Sequence, residues 1–132
     1  MVAPPIKVGR ERRNGHSVIR LRGAINLGET TQTLATELDH AEKEPAGGTV
    51  VDLSDVRSLD STALGLLVGS LRRLRAAGRE IVLVNPGEHV ATLLRMTQLD
   101  SVFPIRKTVA EGLELLGQAK GEKDRSGPVK RV

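Results

Sequence analysis

The stretch VVDLSDVRSLDSTALGLLVGSLRRLRAAGREIVLV, residues 50–84, determines the predicted fold class of this chain. It begins and ends with short apolar runs rich in β-branched side chains, at residues 49–53 and 80–84, which are typical of strands buried on both faces of a sheet. Between them, apolar side chains recur at the spacing of one helix face, at Leu64, Leu67, Val68, Leu71 and Leu74. This order of elements predicts a parallel strand-helix-strand unit with a right-handed crossover.

The same alternation continues on both sides of this unit. Upstream, residues 16–21 (HSVIRL) alternate like a half-buried strand, and a helix is predicted over residues 30–45. Downstream, we expect helices around residues 90–94 and 109–116, separated by a short strand at residues 102–105. The predicted fold class is therefore α/β, with a mixed, mostly parallel sheet of four to five strands and about four helices.

A chain of 132 residues supports one hydrophobic core, so a single domain is expected. Its predicted limits are residues 14–118. Residues 1–13 form a basic N-terminal segment that leads into the first strand. Residues 119–132 carry almost no side chains that a core could bury, and a disordered basic tail is predicted there.

The composition favours a soluble protein of a reducing compartment. Cys is absent, which removes disulfides, thiolate catalysis and cysteine metal sites. The start of the chain, MVAPPIKVGR, lacks the apolar run of a signal peptide, and no run approaches the roughly 20 apolar residues that span a bilayer. We therefore expect a cytoplasmic protein with no membrane partner.

The charge is concentrated at the two ends of the chain. Residues 1–13 contain four bases and one acid, and residues 120–132 contain five bases and two acids. Of the total net charge of +4, the remaining residues therefore carry −2. Because the folded part is slightly acidic and lacks aromatic side chains interleaved with bases, no dedicated nucleic-acid binding is expected.

A polar triplet, Asp60-Ser61-Thr62, stands where the central helix begins. Its first residue, Asp60, ends the segment 54–60, which is predicted to connect the first buried strand to that helix. Asp and Ser are favoured at helix starts because a side-chain oxygen accepts a hydrogen bond from a free amide of the first turn. Taken alone, the triplet indicates only a well-capped helix.

A wider set of residues resembles the STAS-domain anti-sigma-factor antagonists, the bacterial partner-switching proteins of sporulation and stress response. The similarity covers roughly residues 16 to 117. The matching features are Asp52-Leu53-Ser54, Leu59-Asp60-Ser61-Thr62, Leu64-Gly65, Val90, Leu93, Leu94, Leu99 and Phe103-Pro104-Ile105.

This resemblance implies a STAS fold and a regulatory binding protein rather than an enzyme, with no cofactor. Its partner would be an anti-sigma factor that is also a serine kinase, whose capture releases a sigma factor for transcription. The kinase would phosphorylate Ser61, or alternatively Thr62, and a serine phosphatase would restore the active form. The implied partner-binding residues are Asn26, Asp60, Ser61, Thr62, Ala63, Leu64 and Asn85.

Two positions depart from the family pattern. Asn26 stands where members commonly have Asp, which removes one negative charge near the predicted phosphorylation site. Ala63 stands where many members have Gly, which favours the helix by up to about 1 kcal/mol and restricts the backbone at its start. Both changes bear on kinase recognition and partner fit.

Other functions are compatible with parts of this pattern. A non-phosphorylated STAS scaffold in a sensory or transport-linked assembly is the main one. A receiver domain would use Asp52 as its phosphoacceptor, but the end of the first strand lacks the paired acids that hold Mg²⁺. Ser61 lacks the G-x-S-x-G context of a hydrolase.

The remaining polar features received no specific role. The three histidines lie in separate segments, so exposed side chains and no metal site are expected. The second predicted helix carries an arginine face that either meets solvent or binds acidic groups of a partner, formed by Arg72, Arg73, Arg75 and Arg79.

Overall fold

The computed structural model describes residues 7–26 and 28–126, in which five strands form one sheet. The strands are β1 (Lys7–Arg13), β2 (His16–Ile25), β3 (Thr49–Leu59), β4 (Ile81–Val84) and β5 (Ile105–Arg106). The helices are α1 (Glu29–Glu42), α2 (Ser61–Ala76), α3 (Glu88–Met96) and α4 (Val109–Ser126), with a short 3₁₀ helix at Leu99–Ser101.

The strands lie in the sheet in chain order, β1-β2-β3-β4-β5. β1 and β2 form an antiparallel hairpin, whereas β2, β3, β4 and β5 are parallel to one another. Every parallel connection passes through a helix, as parallel strands require. The α/β prediction of a mixed, mostly parallel sheet with four helices is therefore confirmed.

Two hydrophobic clusters cover the two faces of the sheet. The larger one packs α1, α2 and α3 against β2, β3 and β4, and includes Phe103, the single aromatic residue of the chain. The smaller one places Leu113 and Leu116 of α4 on the opposite face, against Val18, Val50, Val82 and Val84. The middle strands are buried on both faces, as their continuous apolar runs indicate.

Strand β3 is longer than the sequence pattern predicts. The sequence pattern predicts a connection over residues 54–60, but residues 54–59 continue β3 beside β2 up to the pair of Ile25 with Leu59. Two register shifts place extra residues in β3, so its buried side chains recur every third residue, at Leu53, Val56 and Leu59. This spacing hides the two-residue period by which a strand is recognised.

The ends of the described chain add to the predicted domain. Residues Lys7–Arg13 of the basic N-terminal segment form the edge strand β1. The last strand lies at Ile105–Arg106, near the end of its predicted range. Helix α4 continues to Ser126, past residue 118, and residues 127–132 of the predicted tail lie outside the described residues. Among the described helices, none is long and apolar enough to cross a membrane.

Candidate phosphorylation and partner site

The start of α2 is fixed by Asp60. This residue has the extended backbone of an N-cap, and its Oδ1 accepts a hydrogen bond of 2.8 Å from the Ala63 amide. Its own amide donates to the Ile25 carbonyl at 3.0 Å, so the pairing of β2 with β3 continues up to the helix. The chain therefore passes from strand to helix with no intervening loop. The two hydrogen bonds of Asp60 hold the next residue, Ser61, at the first position of the helix.

The first turn of α2 divides between solvent and core. Ser61 and Thr62 are exposed, whereas Ala63 is fully buried and Leu64 retains 6% exposure. The hydroxyl of Ser61 thus lies outside the core and is accessible to solvent. Thr62 is exposed as well, so burial does not separate the two hydroxyls.

Asn26 lies beside this helix start. It follows Ile25, which pairs with Leu59, and its side chain is exposed. The hydroxyl of Thr30 donates to the Asn26 carbonyl at 2.7 Å and accepts from the Asn26 amide at 3.2 Å, and the Thr31 hydroxyl also donates to that carbonyl. These bonds hold the strand end against the first turn of α1, and Asn26 is brought together with the residues at 60–64.

Asn85, the remaining predicted contact residue, lies elsewhere. It follows β4, which pairs with β3 only over residues 49–52, and its Nδ2 donates to the Ser54 hydroxyl at 3.1 Å. Asp60 lies six positions after Ser54, which corresponds to up to roughly 20 Å along the strand. Asn85 therefore does not share one compact surface with Ser61.

A groove that the sequence pattern did not indicate begins at Ser61. It runs along the exposed side of α2 and has a volume of about 470 Å³. Its lining residues are Ser61, Leu64, Gly65, Val68, Gly69 and Arg72 of α2, with Thr97 and Leu99 on the opposite side. Met96, an apolar residue outside the buried stripe of α3, is 76% exposed and directly precedes Thr97 of the groove lining in the sequence.

His16 and Asp52 make hydrogen bonds within the chain. His16 is 4% exposed, and its Nδ1 accepts a hydrogen bond of 2.9 Å from the Gly48 amide, so the prediction that all three histidines are exposed was wrong for this residue. Asp52 accepts from both the amide and the hydroxyl of Ser54. Over residues 7–26 and 28–126, no group of three His, Cys, Asp or Glu side chains could hold a metal ion.

The fold and this helix start define a small α/β domain whose candidate site lies at the carboxyl ends of two parallel strands. The family model of the STAS domain matches residues 7–112. The chain belongs to the STAS domain family.

A curated relative matches part of the sequence. A protein of Thermotoga neapolitana, described provisionally as an anti-sigma factor antagonist, is 42% identical over 62 residues, which are 47% of this chain and 55% of that protein. The chain thus spans about half the length of this curated relative.

Solved structures match over more of the chain. The crystal structure of an anti-sigma factor antagonist from Mycobacterium paratuberculosis has a TM-score of 0.77 and 25% identity, and covers 88% of this chain and 98% of that one. The Bacillus cell fate determinant SpoIIAA in its phosphorylated form has a TM-score of 0.65 and 20% identity, and covers 82% of this chain and 97% of that one.

Proposed function

We propose that this chain is an anti-sigma-factor antagonist that binds an anti-sigma factor with serine kinase activity and is switched off by phosphorylation of Ser61. The observation that carries the proposal is the exposed Ser61 hydroxyl at a capped helix start, next to Asn26 and at one end of an open groove. The relatives named as anti-sigma factor antagonists support this class of partner.

A phosphate on Ser61 is compatible with the folded domain. It adds about −1.5 to −2 charges and three acceptor oxygens at a helix N-terminus, where free amides and the helix dipole favour an anion. The first turn of α2 contains no acidic residue that would repel it, although the Asp60 cap lies next to it. A protein of the same fold is solved in phosphorylated form, so the fold tolerates phosphorylation.

The same phosphate is incompatible with a close interface. Any partner surface centred on this helix start would have to desolvate a dianion beside Asp60. An uncompensated buried charge costs about 3 to 5 kcal/mol, which corresponds to a loss of affinity of about 100-fold or more. A local modification therefore separates the partners without a large change in conformation.

The proposal also covers the other proteins that act with this chain and the place where it acts. While bound to this chain, the kinase partner could not hold its sigma factor. A serine phosphatase would remove the phosphate from Ser61 and restore the form that binds. The chain itself would act in the cytoplasm as a binding protein rather than an enzyme. Thr62 serves as the alternative acceptor because it is equally exposed.

Incubation with a cognate anti-sigma factor kinase and ATP tests the proposal. Intact-mass measurement should show one added phosphate in the unmodified chain and in Thr62→Ala, and none in Ser61→Ala. Phosphorylation that persists in Ser61→Ala and disappears in Thr62→Ala would move the switch to Thr62. No phosphorylation of any of the three would contradict the proposal and favour the scaffold alternative.

A further inference from the structure

The arginines of α2 and the one that follows it differ in whether they bind another part of the chain. Arg73 binds the Glu42 carboxylate with two hydrogen bonds, and Arg75 binds the Glu80 carboxylate in the same way and also the Val102 carbonyl. Arg79, which follows the helix, donates to three backbone carbonyls at the end of α1 and beyond it, those of residues 41, 42 and 47. These three arginines hold neighbouring elements together and are not available to a partner.

Arg72 is the exception on this helix face. Its side chain is exposed and makes no hydrogen bond or ion pair with any residue in the described part of the chain. It lies eleven residues after Ser61 on the same side of α2, about 16 Å along the helix axis. The groove therefore has the phosphorylation site at one end and an uncompensated cation at the other.

The surface between these two ends is mainly apolar. Leu64 and Val68 of α2 line the groove together with Leu99, and Met96, which precedes the lining residue Thr97 in the chain, is 76% exposed. At Gly65, no atom lies within 4 Å of the position that a Cβ would take, so the groove is open to a side chain from outside. A length of 16 Å corresponds to about three turns of a partner helix.

Resting on the proposed function, we propose that this groove receives an amphipathic helix of the anti-sigma factor, with apolar side chains against Leu64, Val68 and Leu99 and a carboxylate paired with Arg72. A helix in an apolar groove is a recurrent mode of peptide recognition, and the free cation gives it direction and selects the partner by charge. Arg72 is then a specificity-determining residue, distinct from the switch at Ser61.

Titration of the unmodified chain and its variants with the anti-sigma factor kinase that phosphorylates it tests the proposal. Arg72→Glu and Gly65→Leu should each weaken binding by about 10-fold or more, the first by charge reversal and the second by filling the groove. Arg13→Glu is the matched charge control, because it makes the same change of charge on the β1–β2 hairpin, outside the groove. Gly117→Leu is the matched steric control, because a Cβ there also meets open space.

Both controls should bind as tightly as the unmodified chain, and circular dichroism should show the same helix content in all variants. Binding of Arg72→Glu and Gly65→Leu at unchanged affinity, with tight binding by the unmodified chain, would overturn this proposal and leave the proposed function intact. Failure of the unmodified chain to bind would overturn both. Self-association that Gly65→Leu abolishes would also overturn it, because a second copy would then occupy the groove.

Discussion

Adjacent residues at the start of α2 have separate tasks. Asp60 stabilises the helix through its bond to the Ala63 amide, whereas Ser61 faces solvent and packs against nothing in the core. The modifiable group is therefore next to, but not part of, the interaction that forms the helix. This separation explains how a single residue changes the surface without changing the fold.

Replacement of Asp60 tests the capping part of this description. Asp60→Ala leaves the Ala63 amide without its acceptor, and we expect a loss of about 1 kcal/mol in the free energy of unfolding. Asp60→Asn keeps an acceptor oxygen and should retain most of the stability. Urea denaturation measures both, and equal stability of Asp60→Ala and the unmodified chain would show that the cap contributes nothing.

Residue chemistry alone could predict only those site residues that are local in the sequence, whereas Asn26 was predicted from the family resemblance. Asp60, Ser61 and Thr62 belong to one helix start, whose chemistry is visible in three consecutive letters. Asn85 could not be placed, because its distance from Ser61 depends on how far β3 extends beyond β4. The groove was not predicted either, since it requires Leu99 to pack across from α2.

At the scale of elements, the helices α1 and α2 are joined by a polar cluster. The Glu42 carboxylate accepts from the fully buried Ser70 hydroxyl at 2.6 Å and from Arg73 Nε at 2.6 Å. Burial acts to raise the pKa of Glu42, but the hydrogen bonds from Arg73 and Ser70 and the charge of Arg73 outweigh it and hold this pKa below its ordinary value. The ionised form therefore stabilises the folded protein.

This cluster predicts a pH dependence of stability. Because the pKa of Glu42 is lowered by folding, its contribution is present above the ordinary value of 4.5 and is lost as pH falls through the lower value of the folded state. Glu42→Gln should lack this component. At neutral pH, it should be less stable by up to about 1 kcal/mol, since Arg73 is well exposed and its charge is screened.

Thermal unfolding of Glu42→Gln between pH 3 and pH 7 measures the effect, with Glu114→Gln as a control on an exposed carboxylate of α4, beyond the first turn of that helix and outside the cluster. The difference in stability between Glu42→Gln and the unmodified chain should shrink as the solution becomes acidic, while the difference for Glu114→Gln should stay constant. A difference that grows on acidification would reverse the sign and contradict the assignment.

The elements themselves were predictable where a period of two or 3.6 residues persists. The apolar stripe of α2 shows such a period, and the continuous apolar runs of β4 and of the first half of β3 mark strands buried on both faces, so these elements were predicted correctly. The second half of β3 shows neither pattern, because extra residues shift its register and give a period of three at Leu53, Val56 and Leu59. Pairing with β2, a long-range contact, determines its structure.

The whole molecule separates stability from recognition. Three helices cover one face of the sheet and α4 covers part of the other, so the core is distributed along the middle strands. Ser61, Asn26 and the groove lie on the surface at the carboxyl ends of β2 and β3 and along the outer side of α2. Under the proposed function, a phosphate on Ser61 would therefore change the surface offered to a partner and leave the core unchanged.

The most direct test is a calorimetric titration of the anti-sigma factor kinase with the chain phosphorylated on Ser61 and with the unmodified chain, alongside thermal unfolding of both. Phosphorylation should weaken binding by about 100-fold or more while the domain still unfolds as a single cooperative unit near its original temperature. Equal affinity of the two forms, or loss of the folded structure on phosphorylation, would contradict this expectation.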